Sequence, residues 1–316
     1  MRVLVAGGAG FIGSHVCERL LAHGHEVVCL DNLITGSRAN IACLEGRPGF
    51  CFVESDAEVA PMLDVELVLH LASPASPVFY DRQPIETMSA NSAGTHRLLE
   101  VARASSARFL YASTSEVYGD PLVHPQPEGY WGNVNPNGPR ACYDESKRFG
   151  EALALSYQRK GLVNAGIVRI FNTYGPRMAA DDGRVIPAFI GAALAGERLP
   201  IHGDGAQTRS FCYVSDLVTA LLYVGLDCYA NGSVFNIGNP EEVTMLELAE
   251  AVIEATGRPG GVYHLPRPVD DPERRRPDIG KVHQRYGWQP CVRLREGLRQ
   301  TVDYFRSTRE VAEAAS

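Results

Sequence analysis

The amino-acid sequence predicts an α/β fold: a doubly wound parallel sheet with a smaller, interleaved C-terminal lid that binds substrate. Three observations predict it. Short apolar runs alternate with helix-period segments through most of the chain, the order that makes a parallel sheet covered by helices. A glycine-rich turn joins the first apolar run to the first helical segment, and an acid closes the next run, as in a Rossmann dinucleotide-binding unit. No repeat, low-complexity segment or linker breaks the 316 residues, a length suited to one elaborated domain or two close ones. The expected division is a cofactor-binding core over 1–172 and a mainly substrate-binding part over 173–316, with some segments returning to the core.

Composition narrows the function classes. Lys plus Arg number 30 against 37 for Asp plus Glu, a formal net charge of −7, which argues against a general nucleic-acid binder but leaves room for a local arginine cluster on a diphosphate. The 8 cysteines are scattered without CxxC or zinc spacing, so they read as thiols of a reducing compartment and no metal site is expected. Met1 runs straight into a strand and no apolar run is long enough to span a bilayer. The expectation is a soluble cytoplasmic protein with no membrane partner.

Arg2–Ala6 is a short apolar run with the look of a buried parallel strand. Gly7-Gly8-Ala9-Gly10-Phe11-Ile12-Gly13 follows and opens a helical pattern through Leu21. The glycines permit a tight turn and close approach of a pyrophosphate, which the helix N-terminus attracts. The next strand, Glu26–Leu30, ends at Asp31, about 20 residues after the glycines, where an acid hydrogen-bonds an adenosine ribose and repels a 2′-phosphate. The cofactor is therefore expected to be NAD. Strands are expected at 50–53, with Asp56 just beyond in reach of an adenine, and at 67–72, whose following Ser-Pro-Ala-Ser-Pro turn should face the cofactor. His70 in that strand reads as a satisfied core histidine. A helix from about Ile85 to Ala104 and a strand over 107–112 follow. That strand delivers Ser113, Thr114, Ser115 and Glu116 to the site, since ligands bind beyond the carboxyl ends of parallel strands.

A helix from Tyr143 to Tyr157 carries Tyr143 and Lys147 one turn apart on one face. An ammonium near a phenol favours phenolate and is expected to lower the tyrosine pKa from about 10 toward neutrality. Such a phenol can take a proton from a sugar hydroxyl. Further on come a strand over 165–171 ending in Asn172, a helix from Asp182–Ile186 through Ala195, a strand and tight turn over 199–205, and a helix capped by Ser215 or Asp216. Asp270–Asp278 is a charged, proline-bounded loop.

These residues resemble the extended short-chain dehydrogenase/reductase family over nearly the whole chain. The likeness is carried by the glycine motif, Asp31, Thr114–Gly119 and the Tyr143/Lys147 pair. It narrows to the UDP-glucuronate decarboxylase branch through Ala72-Ser73-Pro74-Ala75-Ser76-Pro77, Tyr130-Trp131-Gly132-Asn133-Val134-Asn135-Pro136, Arg140-Ala141-Cys142-Tyr143 and Gln207-Thr208-Arg209-Ser210-Phe211. The resemblance implies that C4 of a UDP-hexuronate is oxidised, CO2 is lost and C4 is reduced again to give UDP-xylose. It implies Tyr143 as base, Lys147 as its tuner and ribose ligand, Thr114 on the C4 oxygen, and Glu116 and Arg275 on the carboxylate and proton delivery. Arg184 and Arg209 would hold diphosphate or uridine, and Asn172 would position sugar and phosphates. His202 and Gln207 complete the substrate set, although His202 stands where the family has tyrosine. Cofactor contacts are expected from Gly7, Gly10, Phe11, Ile12, Gly13, Asp31, Asn32, Asp56, Leu71 and Ala72, with Tyr143 and Lys147.

Ser115 separates close relatives. Sugar-nucleotide 4,6-dehydratases carry an aspartate there as acid, which a serine cannot replace near pH 7. Alternatives that stay open are a 4-epimerase, release of the 4-keto-pentose as product, and a silent NAD-binding Rossmann protein. The resemblance also implies a homodimer through a four-helix bundle. Leu98, Leu99 and Ala102 on one helix and Leu153 and Tyr157 on the other are the apolar positions expected to serve it.

Overall fold

The first strand, β1 (Arg2–Ala6), is buried at every position after Arg2. Its side chains alternate between two cores, as a strand covered on both faces requires. Val3 and Val5 join one cluster with Val16, Leu20, Leu217 and Leu221, while Leu4 and Ala6 join the other with Leu98, Leu99, Ala102 and Ala154. Each such fully buried Leu or Val stabilises the fold by about 1.5–3 kcal/mol. These facts come from a computed structural model that describes residues 1–229, 231–266 and 274–315, with side chains through residue 310.

After β1 come α1 (Phe11–Ala22), β2 (Glu26–Asp31), β3 (Phe50–Glu54), β4 (Leu67–His70), α2 (Pro77–Arg82), α3 (Pro84–Ser89), α4 (Thr95–Ala104), β5 (Arg108–Thr114), α5 (Ala141–Arg159) and β6 (Asn164–Ile170). The second half holds β7 (Thr173–Tyr174), α6 (Val185–Ala195), β8 (Leu199–His202), β9 (Thr208–Ser210), β10 (Cys212–Tyr213), α7 (Val214–Leu226), β11 (Val234–Ile237), β12 (Glu242–Thr244), α8 (Met245–Thr256), β13 (Val262–Leu265), β14 (Arg274–Arg275), α9 (Gly280–Tyr286) and α10 (Leu294–Ala315). Seven strands form one parallel sheet in the order β11-β6-β5-β4-β1-β2-β3. Strand order reverses between β1 and β4, which opens a crevice at their carboxyl ends. The second half adds small sheets, of which β12-β9-β14 brings Arg275 toward that crevice. No helix among the described residues is long and apolar enough to cross a membrane.

Four expectations need correction or a limit. The helix expected from Ile85 to Ala104 is broken by a π-helical turn over Ala90–Gly94. There Asn91 turns inward and donates to Ser73 Oγ (3.0 Å) and Ser146 Oγ (3.1 Å), while the Thr95 hydroxyl donates to the Asn91 carbonyl (2.8 Å). Neither Ser215 nor Asp216 caps α7, which starts at Val214 with Tyr213 before it and no side-chain cap. Asp216 Oδ2 instead accepts from the Cys291 and Val292 amides (2.9 and 2.8 Å) and so ties down the approach to α10. Leu98, Leu99 and Ala102 are wholly buried in the chain's own core and offer no surface to a partner. Half-buried Tyr157 donates to Glu100 Oε1 (2.7 Å). Finally, residues 270–273 of the charged loop lie outside the described residues, whereas Arg275 is buried.

Candidate active site

The glycine turn is a cradle only because its glycines lack side chains. Gly7 has φ +81°, and a Cβ there would lie 2.6 Å from the Ala72 amide nitrogen. A Cβ on Gly13 would run into the Gly7 carbonyl oxygen. No side chain caps α1, so its first amides remain available to an anion. Asp31 fastens the cradle: Oδ2 accepts from the Ala9 amide and Oδ1 from the Leu33 amide, both at 2.9 Å. Burial raises its carboxyl above the usual range, against those amide bonds.

Two adjoining cavities, of about 540 and 130 Å³, share Gly7, Gly10, Thr35, Leu71 and Ser73. The smaller is lined by Asp31, Asn32, Asp56 and Ala72, and Asn32 Nδ2 donates to Asp56 Oδ1 at 2.5 Å. The larger takes in Phe11, Ile12 and Gly13, then Thr114, Ser115, Glu116, Tyr143 and Lys147, and finally Asn172, Arg184, Arg209 and Arg275. A dinucleotide fits this run, with adenosine in the smaller cavity, pyrophosphate on the cradle and the reactive ring toward Tyr143.

Thr114 ends β5, and its Oγ1 accepts from the Glu116 amide (3.2 Å) to cap the short turn Ser115–Tyr118. Lys147 Nζ donates to the Ala112 carbonyl at 2.9 Å and lies 5.8 Å from the Tyr143 ring centroid. The expected depression of Tyr143 is not found. Burial pushes its phenol well above the ordinary value; Thr114 and Arg184 pull it down, while Glu116 and Asp144 push it further up. Burial also lowers Lys147 to about 7, against the pull of Glu151, so the tuning ammonium is itself only partly charged near neutrality. His70 is buried in the core as expected, with Nε2 3.0 Å from Thr95 Oγ1, but it is only half satisfied, since its buried Nδ1 meets no hydrogen-bond partner among the described residues.

At the sugar end Glu116 is gripped by two arginines. Arg275 donates from Nη1 to Oε1 (2.5 Å) and from Nη2 to Oε2 (2.8 Å), and Arg140 Nη2 reaches Oε2 at 2.6 Å. Burial opposes ionisation of Glu116, but the two guanidinium charges outweigh it and its carboxyl titrates below the usual range. Burial raises Asp144 to about 7, helped by Glu116 and opposed by Arg140 and Arg275.

Arg184 is tied to Asp182 through Nε (2.8 Å) and Nη2 (2.6 Å). Two expected substrate residues line neither cavity. His202 is exposed with Nδ1 2.9 Å from the Pro266 carbonyl, and Gln207 Nε2 donates to the His202 carbonyl (2.6 Å). Pairing of β8 with β13 and the turn after it use both side chains locally. Sequence reasoning missed Arg140, Tyr80, Arg177, Tyr304 and Thr308, all on the larger cavity. Arg140, three residues before Tyr143, had a signal in that proximity; Tyr304 and Thr308 had none, since they arrive on the distant α10.

The NAD dependent epimerase/dehydratase family matches residues 3–238. The chain belongs to this family. It is 48% identical over 97% of its length to UDP-glucuronic acid decarboxylase 1 of Arabidopsis thaliana, covering 70% of that protein. To UDP-glucuronic acid decarboxylase 1 of Danio rerio it is 47% identical over 100% of its length, covering 74% of the relative. Among solved structures, it is similar to a UDP-glucose 4-epimerase of Thermotoga maritima with UDP-glucose, at TM-score 0.87 and 32% identity, covering 98% and 99% of the two chains. It is also similar to a dTDP-glucose 4,6-dehydratase of Streptomyces venezuelae with NAD bound, at TM-score 0.88 and 30% identity, covering 98% of each. The family's cofactor, NAD, is the one the cradle and Asp31 fit.

Proposed function

We propose that the chain is an NAD-dependent UDP-glucuronate decarboxylase that makes UDP-xylose through a 4-keto intermediate. The observation that carries the reading is a glutamate doubly paired with Arg275 and Arg140 at the sugar end of the cavity, in a chain about half identical to decarboxylases along its whole length. NAD held in the glycine cradle supplies a hydride acceptor and a positive charge that favours phenolate. Tyr143 takes the proton of the C4 hydroxyl, and Thr114 hydrogen-bonds the same oxygen. Lys147 holds the nicotinamide ribose. The resulting ketone stands β to the C5 carboxylate, so the C5–C6 pair passes into the ketone as an enolate and CO2 leaves. Arg275 exchanges part of its hold on Glu116 for the substrate carboxylate, where its fork suits two oxygens. Arg184, Arg209 and Asn172 hold the nucleotide. Residues 1–172 serve mainly the cofactor, and 173–316 mainly the sugar nucleotide.

The working form is read as a homodimer. Ile85 and Met88 on α3 and Phe149 on α5 are exposed at 70%, 45% and 51%, and Ala93 and Ala152 extend the same two strips. Apolar strips on neighbouring helices suit a four-helix interface between two copies. Its eight free thiols suit a reducing cytoplasm.

Incubation with UDP-glucuronate, with and without added NAD, and mass identification of products tests the activity. UDP-xylose and CO2 are expected; UDP-galacturonate would favour epimerisation, and a UDP-4-keto-pentose as main product would mean early release.

A further inference from the structure

Loss of CO2 followed by protonation replaces a C–C bond at C5 by a C–H bond, so each turnover takes up one proton. Tyr143 is not its source, because the proton it accepts from the C4 hydroxyl is returned there when C4 is reduced again. Glu116 is not its source either. Held below the usual range by Arg275 and Arg140, it is a carboxylate and can only accept.

A further cavity, of about 290 Å³, adjoins this cluster. Glu116, Arg140 and Arg275 line both it and the substrate cavity, so they form the partition between the two. Asp120, Asn135 and Asp144 line only the outer chamber. Asp144 is 5% exposed, and its Oδ1 accepts a hydrogen bond from no described protein group. A polar chamber of this size has room for several waters.

We propose that this chamber is the water-filled inlet for the C5 proton and that Asp144 passes the proton into it, acting through chamber water and across the Glu116 partition. The inference rests on the decarboxylase reading. Groups facing Asp144 are Glu116 from the turn after β5, Arg140 at the head of α5, Glu145, Cys142 and Tyr143 on α5 itself, Tyr80 from α2 and Arg275 from β14. Burial first, then Glu116 and Glu145, against Arg140 and Arg275, leave it protonated up to about 7, so it gives and regains a proton near neutrality. The step balances. As the enolate collapses to the ketone, C5 takes a proton from a water beside Glu116 on the substrate side, that water regains one through chamber water from Asp144, and the Asp144 carboxylate takes one from solvent. Glu116 stays ionised throughout and orients the delivering water.

The test is a single turnover of holoenzyme with UDP-glucuronate, following CO2 release, NADH absorbance and UDP-xylose, in wild type, Asp144→Asn and Asp144→Glu. UDP affinity and the CO2 burst should stay within about threefold in both variants. NADH reoxidation and UDP-xylose formation should slow at least about tenfold in Asp144→Asn and recover in Asp144→Glu. In wild type the rate after CO2 release should fall as pH rises through about 7, and that fall should be absent in Asp144→Asn. A wild-type rate flat across that range overturns the proposal without any variant. So does an Asp144→Asn protein with wild-type reoxidation, or an Asp144→Glu protein that binds UDP yet is as slow as Asp144→Asn. Absence of CO2 from wild type would instead overturn the decarboxylase reading itself.

Discussion

The rings of Tyr80 and Tyr143 lie 5.2 Å apart and 10° from parallel. Tyr80 arrives on α2, directly after the Ser-Pro-Ala-Ser-Pro turn, and both rings are buried. The stack fixes the plane of the phenol proposed to meet the C4 hydroxyl. Tyr80→Ala is expected to lower turnover at least about tenfold with UDP affinity unchanged, because misplacement of a reacting group is costly. Tyr80→Phe keeps the stack and loses a hydroxyl with no described partner, so it should stay within about twofold. Wild-type turnover in Tyr80→Ala would show that α5 alone holds Tyr143.

Tyr143→Phe should abolish oxidation at C4 while leaving NAD binding nearly intact, since only the proton acceptor is lost. Steady-state turnover and cofactor titration read the two separately. Turnover close to wild type would assign the base elsewhere.

Glu116→Gln and Arg275→Ala should each slow CO2 release by at least about a hundredfold, the scale of a positioned acid/base or charge stabiliser. UDP binding should change little. The two differ in stability. Glu116→Gln leaves the buried Arg275 and the half-buried Arg140 without its charge, whereas Arg275→Ala leaves Glu116 its bond to Arg140. Thermal melts should therefore place Glu116→Gln lower; the reverse order would mean that Arg140 is neutralised by another group.

Asp144 links stability to pH. Folded, it keeps its proton up to about 7, against an ordinary value of 3.8. Between those values the folded state binds more protons than the unfolded chain, so this contribution to stability is full below 3.8 and is lost as pH rises through about 7. Asp144→Asn removes it. Urea melts should show the variant gaining on wild type as pH rises from about 4 to 7, then a constant difference. A difference independent of pH would mean that Asp144 titrates normally.

Phe149→Glu combined with Ile85→Glu should give a monomer by sedimentation at micromolar concentration, where wild type is expected to sediment as the proposed dimer. Charges in an apolar strip oppose its burial. A dimeric double variant would move the interface off α3 and α5.

What the sequence disclosed was mostly local. The turn over Gly7–Gly13 and the pairing of Tyr143 with Lys147 each depend on a few consecutive residues, and both appear in place. Helical spacing revealed that α4 has an apolar face but not what covers it: Leu98, Leu99 and Ala102 meet the sheet, and Ile85 and Met88 are left outside. The grip of Arg140 and Arg275 on Glu116 depends on how β9, β14 and the loop before α5 converge, which no local pattern records. The pKa of Tyr143 escapes the sequence for the same reason, because spacing locates the ammonium but not the burial that outweighs it.

One strand of the central sheet has a consequence for the unfolding of the whole chain. β11 comes from residues 234–237, yet it pairs with β6 from Val234↔Ile167 to Ile237↔Ile170, while α7 buries Leu217 and Leu221 under the same sheet. A fragment cut after residue 172 would expose β6 as a bare hydrogen-bonding edge and uncover the apolar surface beneath α7, a template for aggregation rather than a free-standing cofactor module. The two halves are therefore expected to melt in a single transition, with NAD and UDP each raising the same midpoint.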